Sequence, residues 1–195
     1  MSELVGIDPS LTSTGIAVLT KGVDGLFSTQ VAKLINVGHP GTDSDDWDDR
    51  SRRIVSQTRH IIRQIDAFDL ELAVIEGPSY GSKFGSAFDR AALWHGVYSH
   101  LRARKVKLAV CQPGTREKWA TGKVVRGLSD RERKARVFDA VREQWAGVRV
   151  PNHDCADALT LAGIGALKLG WQLPFEIKER HYAGLDKEAW SKEIA

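Results

Sequence analysis

Four acidic residues stand where a folded chain would display their carboxylates together. Asp8 and Glu76 each come directly after a short run of apolar residues, and Asp154 and Asp157 open a segment rich in alanine and leucine. Carboxylates gathered from such distant parts of a chain repel one another unless a cation lies between them. Carboxylate oxygens are ligands that Mg²⁺ and Mn²⁺ take, so the pattern predicts a divalent-metal site and chemistry on phosphate groups.

Asp154 and Asp157 form the most informative pair. Their i, i+3 spacing puts both carboxylates on one face of a helix, and a helix N-terminus favours each negative charge by about 0.3–1 kcal/mol. Helix capping by Asp154 is an alternative explanation, but it accounts less well for Asp157, because this apolar helix would bury that face. His153 is adjacent and is able to hydrogen-bond a phosphate, although a bystander role is the preferred interpretation.

Asp8 and Glu76 also have simpler interpretations when each is taken alone. An acid at the end of a strand is commonly a turn residue or a solvated side chain. If the two strands are neighbours, however, Asp8 and Glu76 share one edge of the sheet. The four acids are then expected to hold two Mg²⁺ ions, for which Mn²⁺ would substitute. One ion would activate a water and the other would stabilise the leaving 3′ oxygen of a phosphodiester displacement.

The elements that position these acids follow from the apolar periodicity. Three strands joined by short polar turns predict an antiparallel meander. The later alternation of helices and strands predicts an α/β fold with a mixed sheet and helices on both faces. The predicted strands cover residues 4–8, 14–19, 27–37, 71–76 and 106–111, and the predicted helices cover about 47–67, 86–103, 114–120, 130–145 and 154–169.

The composition favours one globular domain in a reducing compartment. Of the 195 residues, 42% are hydrophobic and 27% are charged. These values fit one domain over residues 1–170, followed by a peripheral extension over 171–195. No apolar run approaches the roughly 20 residues of a membrane span, and no signal peptide is recognised before the first strand. The two cysteines, Cys111 and Cys155, predict a reducing cytoplasm rather than a disulfide framework.

Positive charge is concentrated in the middle of the chain. Residues 101–150 contain 14 lysines and arginines against 5 acids, a net charge of +9, whereas the whole chain carries only +3. Clustered cations gain free energy from counterion release on DNA or RNA. The block therefore predicts a phosphate-binding surface, with a solvated helix face as the alternative.

The acids and their neighbours resemble the motifs of a known nuclease family, the RuvC-type Holliday junction resolvases of the ribonuclease H-like superfamily. The similarity spans roughly residues 3–168, with the acids in the family's order. It implies a five-stranded mixed sheet, a catalytic metal site made by the four acids, and a homodimer that presents two active sites to a four-way DNA junction. Such a crossover junction endodeoxyribonuclease makes paired symmetric nicks with 5′-phosphate and 3′-hydroxyl ends. The matching segments are Gly6-Ile7-Asp8-Pro9-Ser10, Thr14-Gly15, Ile75-Glu76 and Asp154-x-x-Asp157-Ala158-Leu159.

The resemblance also implies roles for residues outside the acid cluster. Tyr80 or Phe84 would wedge into the junction and stack on a splayed base, and packing of the aromatic within its own loop is the alternative. Lys134 corresponds to a basic residue that would stabilise negative charge on the phosphate. The remaining basic candidates for DNA contact are Lys83, Arg116, Lys118, Lys123, Arg126 and Arg131.

The resemblance further implies that the helix over 86–103 forms the dimer interface. Ala91 and Trp94 would lie in that interface, with packing in the core of one subunit as the alternative. Two features depart from the family's pattern. The loop over 122–127 is extended and basic where the family has a tight one, and the chain from Trp171 onward has no matching part.

Three other functions are compatible with parts of the sequence. The same metal site would serve a broader nuclease that cuts flaps, forks or replication intermediates. An actin-like or sugar-kinase-like ATPase also opens with a strand, an Asp and a Gly/Ser/Thr-rich hairpin, but 195 residues do not supply two such lobes. A non-catalytic DNA-binding protein would keep four clustered carboxylates only at a cost in stability. The leading prediction is a Mg²⁺-dependent junction resolvase, with branch-migration or recombination proteins as candidate partners.

Overall fold

A six-stranded mixed sheet lies at the centre of the computed structural model, which describes residues 2–22, 29–78, 87–185 and 189–190. In chain order the strands are β1 (Glu3–Asp8), β2 (Thr14–Thr20), β3 (Gln30–Val37), β4 (Leu70–Glu76), β5 (Lys107–Cys111) and β6 (Ala189–Trp190). Their spatial order is β3-β2-β1-β4-β5-β6. The first three strands form an antiparallel meander, β4 and β5 continue the sheet parallel to β1, and β6 is antiparallel to β5. The mixed sheet agrees with the sequence prediction.

The predicted number of five strands was wrong, because β6 adds a sixth. A strand of two residues is too short to show an apolar alternation, so the sequence carries no periodic signal for it. It forms because the outer edge of β5 offers unpaired backbone groups, and the chain near Ala189 returns to pair with Val110. The third strand begins at Gln30 rather than at residue 27, and residues 27 and 28 lie outside the described residues.

Helices cover both faces of the sheet, as predicted. Six are described: α1 (Trp47–Ile65), α2 (Ala87–Ala103), α3 (Pro113–Thr121), α4 (Asp130–Gln144), α5 (His153–Lys168) and α6 (Glu179–Leu185). Along β1 the side chains alternate between two cores, as the pleat of a strand requires. Leu4 packs with the cluster that includes α3, α4 and α5, whereas Val5 and Ile7 pack with the cluster that includes α1 and α2.

The helix α5 lies unusually close to β1 and β2. All residues from Cys155 to Leu167 are buried. A Cβ added at Gly6 would lie 2.2 Å from the carbonyl oxygen of Ala158, and one at Gly15 would lie 1.9 Å from that of Asp154. Only glycine permits such an approach between backbones, so these two positions fix the first turns of α5 against the ends of the strands.

The chain after residue 170, expected to be a peripheral extension, contributes to the core where it is described. Trp171 and Leu173 are buried in the cluster under α5. The ring of Phe175 packs edge-on against Trp119, with centroids 6.0 Å apart. The buried ring of His181 lies 4.6 Å from that of Trp119. This segment therefore covers α3 and α5 with aromatic side chains.

None of the helices among the described residues has the length and apolar character that crossing a membrane requires.

Candidate active site

Parallel pairing brings the first two acids to one edge of the sheet. Asp8 ends β1 and Glu76 ends β4, and these strands pair with Ile7 opposite Ile75. The carboxyl ends of neighbouring parallel strands necessarily meet at the same edge. The condition for Asp8 and Glu76 to share one edge, that β1 and β4 are neighbours, is thus met, and both carboxylates emerge beside the first turn of α5.

The start of α5 presents the other two acids. Asn152, not Asp154, is the N-cap, because its side-chain oxygen accepts a hydrogen bond from the backbone N–H of Cys155 at 2.9 Å. The capping interpretation of Asp154 was therefore wrong. Because Asn152 caps the helix, the carboxylates of Asp154 and Asp157 are not needed for capping and can both contribute to the acid cluster.

Two residues of the meander hold Asp154 in place. The Ser13 hydroxyl donates to Asp154 Oδ2 at 2.6 Å, and the Asn36 amide donates to Ser13 Oγ at 3.1 Å. On the other side, Lys134 Nζ lies 3.9 Å from Asp154 Oδ1. Ser13 and Asn36 were not predicted as site residues from the sequence. The only feature that could have indicated them is that both are polar and lie at the same edge of the sheet, one just before β2 and the other near the end of β3.

Arg116 lies inside the acid cluster rather than on an open DNA-facing surface. Its Nε is 2.7 Å from Glu76 Oε2, and its Nη1 contacts Asp157 Oδ1. The side chains of Arg116, Glu76 and Asp157 are 12%, 12% and 4% exposed. One guanidinium thus bridges carboxylates that come from β4 and α5.

Burial has the largest effect on the pKa values of two acids in the cluster, Asp8 and Glu76. Burial, reinforced by the charges of Glu76 and Asp154, raises the pKa of Asp8 to about 7, against the opposing influence of Arg116 and Lys134. Burial also raises the pKa of Glu76, against the lowering influence of Arg116 and Lys134. Arg116 and Lys134 therefore do not fully offset the effect of burial, and further positive charge would favour the ionised form of both acids.

The fold itself has known relatives among solved structures. No protein-family model matches the sequence, and no curated protein matches it. The structure of RuvC from Thermus thermophilus matches with a TM-score of 0.62 at 18% identity, covering 88% of this chain and 99% of that one. The T. thermophilus RuvC complex with Holliday junction substrate matches with a TM-score of 0.61 at 15% identity, covering 89% and 99%. The fowlpox virus resolvase in complex with substrate Holliday junction DNA matches with a TM-score of 0.52 at 12% identity, covering 86% and 98%.

This chain shares its fold with the RuvC structures. The similarity resides in three-dimensional arrangement, because fewer than one residue in five is identical to these structures. In this chain the RuvC-type fold brings together all four acids that the sequence singles out, although they are spread from residue 8 to residue 157.

The donor set of this site fits a divalent cation in its chemistry. Four carboxylates that are mostly buried and incompletely neutralised are the ligands that Mg²⁺ takes. In their present arrangement, no three carboxylate, imidazole or thiol groups of the described residues lie close enough together to hold an ion. Arg116 contacts two of the four acids in this arrangement.

The other predicted site residues either lie around this cluster or fall outside the described residues. Tyr80, Lys83 and Phe84 lie outside the described residues. Lys134 is half exposed at the mouth of the cluster. The predicted DNA-contacting side chains that are exposed on α3, on α4 and on the loop between them are Lys118, Lys123, Arg126 and Arg131.

His153 and Trp94 both have contacts within the molecule. His153 Nδ1 lies 3.1 Å from the carbonyl oxygen of Lys134, which links α5 to α4 rather than to the acids. The indole N–H of Trp94 donates to the carbonyl oxygen of Glu76 at 2.8 Å, and its ring stacks on Tyr98. Trp94 thus supports the end of β4, and the predicted dimer interface on α2 stays a prediction.

Proposed function

We propose that this protein is a metal-dependent endonuclease that resolves four-way DNA junctions by paired symmetric nicks. The observation that carries the proposal is the meeting of four carboxylates at one sheet edge of a RuvC-type fold. Two of the structures with this fold are complexes with Holliday junction DNA. The four acids are Asp8, Glu76, Asp154 and Asp157.

The acids would hold Mg²⁺, or Mn²⁺ in its place, with two ions in each site. When bound, the cations would supply an activated water and stabilise the leaving 3′ oxygen of the cleaved phosphodiester. Asp8, with its pKa raised to about 7 by burial and by Glu76, would become fully ionised beside a cation because the added positive charge favours its carboxylate form. Ser13 would keep Asp154 oriented through its 2.6 Å hydrogen bond.

The basic residues would position the DNA. Lys134 places an ammonium group 3.9 Å from Asp154 with about half of its side chain exposed, where it would contact a phosphate oxygen and stabilise charge that develops there. Lys118, Lys123, Arg126 and Arg131 are exposed on the same basic block. They would contact the backbone of the junction arms, which carries no sequence information.

Paired nicks require two active sites, so we propose a homodimer with α2 (Ala87–Ala103) at its interface. Ala91 is exposed on this helix. A two-fold dimer presents the same site twice, which matches two symmetric cuts in opposing strands of a junction. Branch-migration or recombination proteins are proposed as further partners.

Incubation with labelled four-way junction, flap, fork and linear duplex DNA, in Mg²⁺, Mn²⁺ or EDTA, tests the proposal. We expect paired nicks at symmetric positions on the junction, in either metal and not in EDTA. Cutting spread over flaps and forks would instead establish a broader branched-DNA nuclease, which the same acids would serve. Binding without cutting in every metal would refute nuclease function.

A further inference from the structure

We propose that Arg116 is an internal counter-ion that occupies the acid cluster in the cation-free protein and competes with the divalent cation for Glu76 and Asp157. The inference rests on the cation site of the proposed function and adds a residue to it. Arg116 is a positioning residue in this account, because it acts through the carboxylates.

The position of Arg116 on α3 makes the bridge possible. α3 begins at Pro113, directly after β5, so Arg116 lies in the first turn beside the carboxyl ends of the parallel strands. The guanidinium offers several N–H groups in a rigid fork. One arm lies 2.7 Å from Glu76 Oε2, and another contacts Asp157 Oδ1. Arg116 therefore connects the end of β4 to α5 at the carboxyl ends of the parallel strands.

The charges show why the cluster depends on this residue. With all four acids ionised, Arg116 and Lys134 would leave a net charge of −2 in the cluster. Lys134 is 55% exposed and lies beside Asp154, whereas Arg116 is 12% exposed and contacts Glu76 and Asp157, which form no ion pair with Lys134. Removing one member of a buried pair leaves an uncompensated charge. Glu76 and Asp157 would thus lose their close positive partner.

The same geometry makes Arg116 a competitor of the cation. Mg²⁺ binds oxygen at about 2.0–2.1 Å. An ion that close to Glu76 Oε2 and Asp157 Oδ1 would lie next to the guanidinium, which is also positively charged. Because the two positive charges repel each other at this distance, we expect Arg116 to release at least one contact when a cation binds to these oxygens. This agrees with the present arrangement, in which the described acids do not converge in a group of three.

The magnitude follows from the population of the released state. If Arg116 has released the contact that the cation needs in about 10% of molecules or fewer, the apparent affinity for the cation is lowered at least about tenfold. In a protein without the guanidinium, the apparent affinity for the cation is not reduced in this way. Its cation-free form, in contrast, keeps repelling carboxylates without a close partner and is less stable.

Arg116→Met tests the proposal, because methionine keeps an unbranched side chain without the charge. Mn²⁺ affinity is measured by calorimetric titration, and thermal unfolding is measured in EDTA and in saturating Mn²⁺. We expect Mn²⁺ to bind the variant at least about tenfold more tightly. We also expect a lower Tm in EDTA and a smaller difference from wild type in Mn²⁺. The control is Arg136→Met, which removes an arginine 4.0 Å from Glu117 and should leave Mn²⁺ affinity unchanged.

Equal or weaker Mn²⁺ binding by Arg116→Met would overturn the proposal, as would wild-type protein that binds no Mn²⁺. If Arg116→Met does not fold, Arg116→Lys keeps one positive charge but not the fork, and it should also bind Mn²⁺ more tightly than wild type. These measurements do not involve cleavage. Tighter binding by the variant together with no cutting by wild type would refute the nuclease and leave the role of Arg116 standing. Cutting with an unchanged affinity would do the reverse.

Discussion

The close approach of α5 to the strand ends makes Gly15→Ala an informative substitution. Gly15 pairs with Asp8 across β1 and β2, and an added Cβ would lie 1.9 Å from the carbonyl oxygen of Asp154. The opposing atom belongs to the backbone, so the clash cannot be relieved by the rotation of a side chain. Ordinary contact begins at 3.4 Å, and the first turn of α5 must therefore move by about 1.5 Å. Asp154 would move with it, away from Asp8.

The expected losses follow from this displacement. A shift of about 1 Å in catalytic geometry costs about 100-fold in rate, so we expect the junction-nicking rate to fall at least about 100-fold. Overpacking costs about 1–3 kcal/mol of unfolding free energy. For a chain of this length each kcal/mol lowers the Tm by about 2–4 °C, which predicts a decrease of roughly 2–12 °C.

Single-turnover nicking of a labelled four-way junction, measured well below the Tm of each variant, separates misplacement from unfolding. The matched control is Gly114→Ala in the first turn of α3, where an added Cβ meets nothing within 4 Å. Alanine favours a helix by about 0.5–1 kcal/mol over glycine, so this variant should keep its rate and its Tm should not fall. A Gly15→Ala protein with wild-type rate and Tm would refute the claim that this contact sets the position of Asp154.

Further predictions concern the acids, the orienting hydroxyl, the basic surface and the C-terminal segment. Asp157→Asn should abolish nicking while junction binding survives in a mobility-shift assay. Ser13→Ala removes the 2.6 Å hydrogen bond to Asp154 and should lower the nicking rate by at least about tenfold, since a hydrogen bond to a charged group contributes about 1.5–3 kcal/mol. An unchanged rate would contradict an orienting role. Replacing Arg126 and Arg131 by Gln should reduce the slope of log affinity against log salt by up to about 1.8, and an unchanged slope would place the DNA elsewhere. Burial, with Arg180 and Lys178 nearby, lowers the pKa of His181 to about 4 from 6.5. Between pH 4 and pH 6.5, His181 is therefore protonated in the unfolded chain but not in the folded chain. The free energy of unfolding should fall as the pH drops from about 6.5 to 4. Urea unfolding of wild type and His181→Leu should show a smaller pH dependence in the variant.

Local patterns in the sequence were sufficient for the elements that carry the acids. The apolar runs before Asp8 and Glu76 predict strands at 4–8 and 71–76, and the structure has Glu3–Asp8 and Leu70–Glu76. The apolar segment after Asp157 likewise predicts a helix that the structure places at His153–Lys168. These predictions succeed because each element is long, apolar and bounded by proline, glycine or a polar cap, all of which are encoded locally.

Short and polar features were less accessible to the same reasoning. β6 has two residues and therefore no period, and its existence depends on the free edge of β5. The choice of Asn152 over Asp154 as the N-cap depends on where the first turn of α5 begins, and the two residue types cap helices about equally well. Sequence boundaries of this kind carry an uncertainty of several residues.

The sequence by itself determined which acids belong to the candidate site and which elements present them. Only the tertiary structure decided how their charges are paired. Arg116 is one of 14 basic residues in its block, and nothing local distinguishes it from a DNA-contacting arginine until α3 packs against α5 and brings it to Asp157, 41 positions away. Ser13 and Asp154 are 141 positions apart and meet only because the meander and α5 share one sheet edge. Periodicity is a property of neighbours along the chain, whereas electrostatic pairing depends on distances that exist only after the layers have packed.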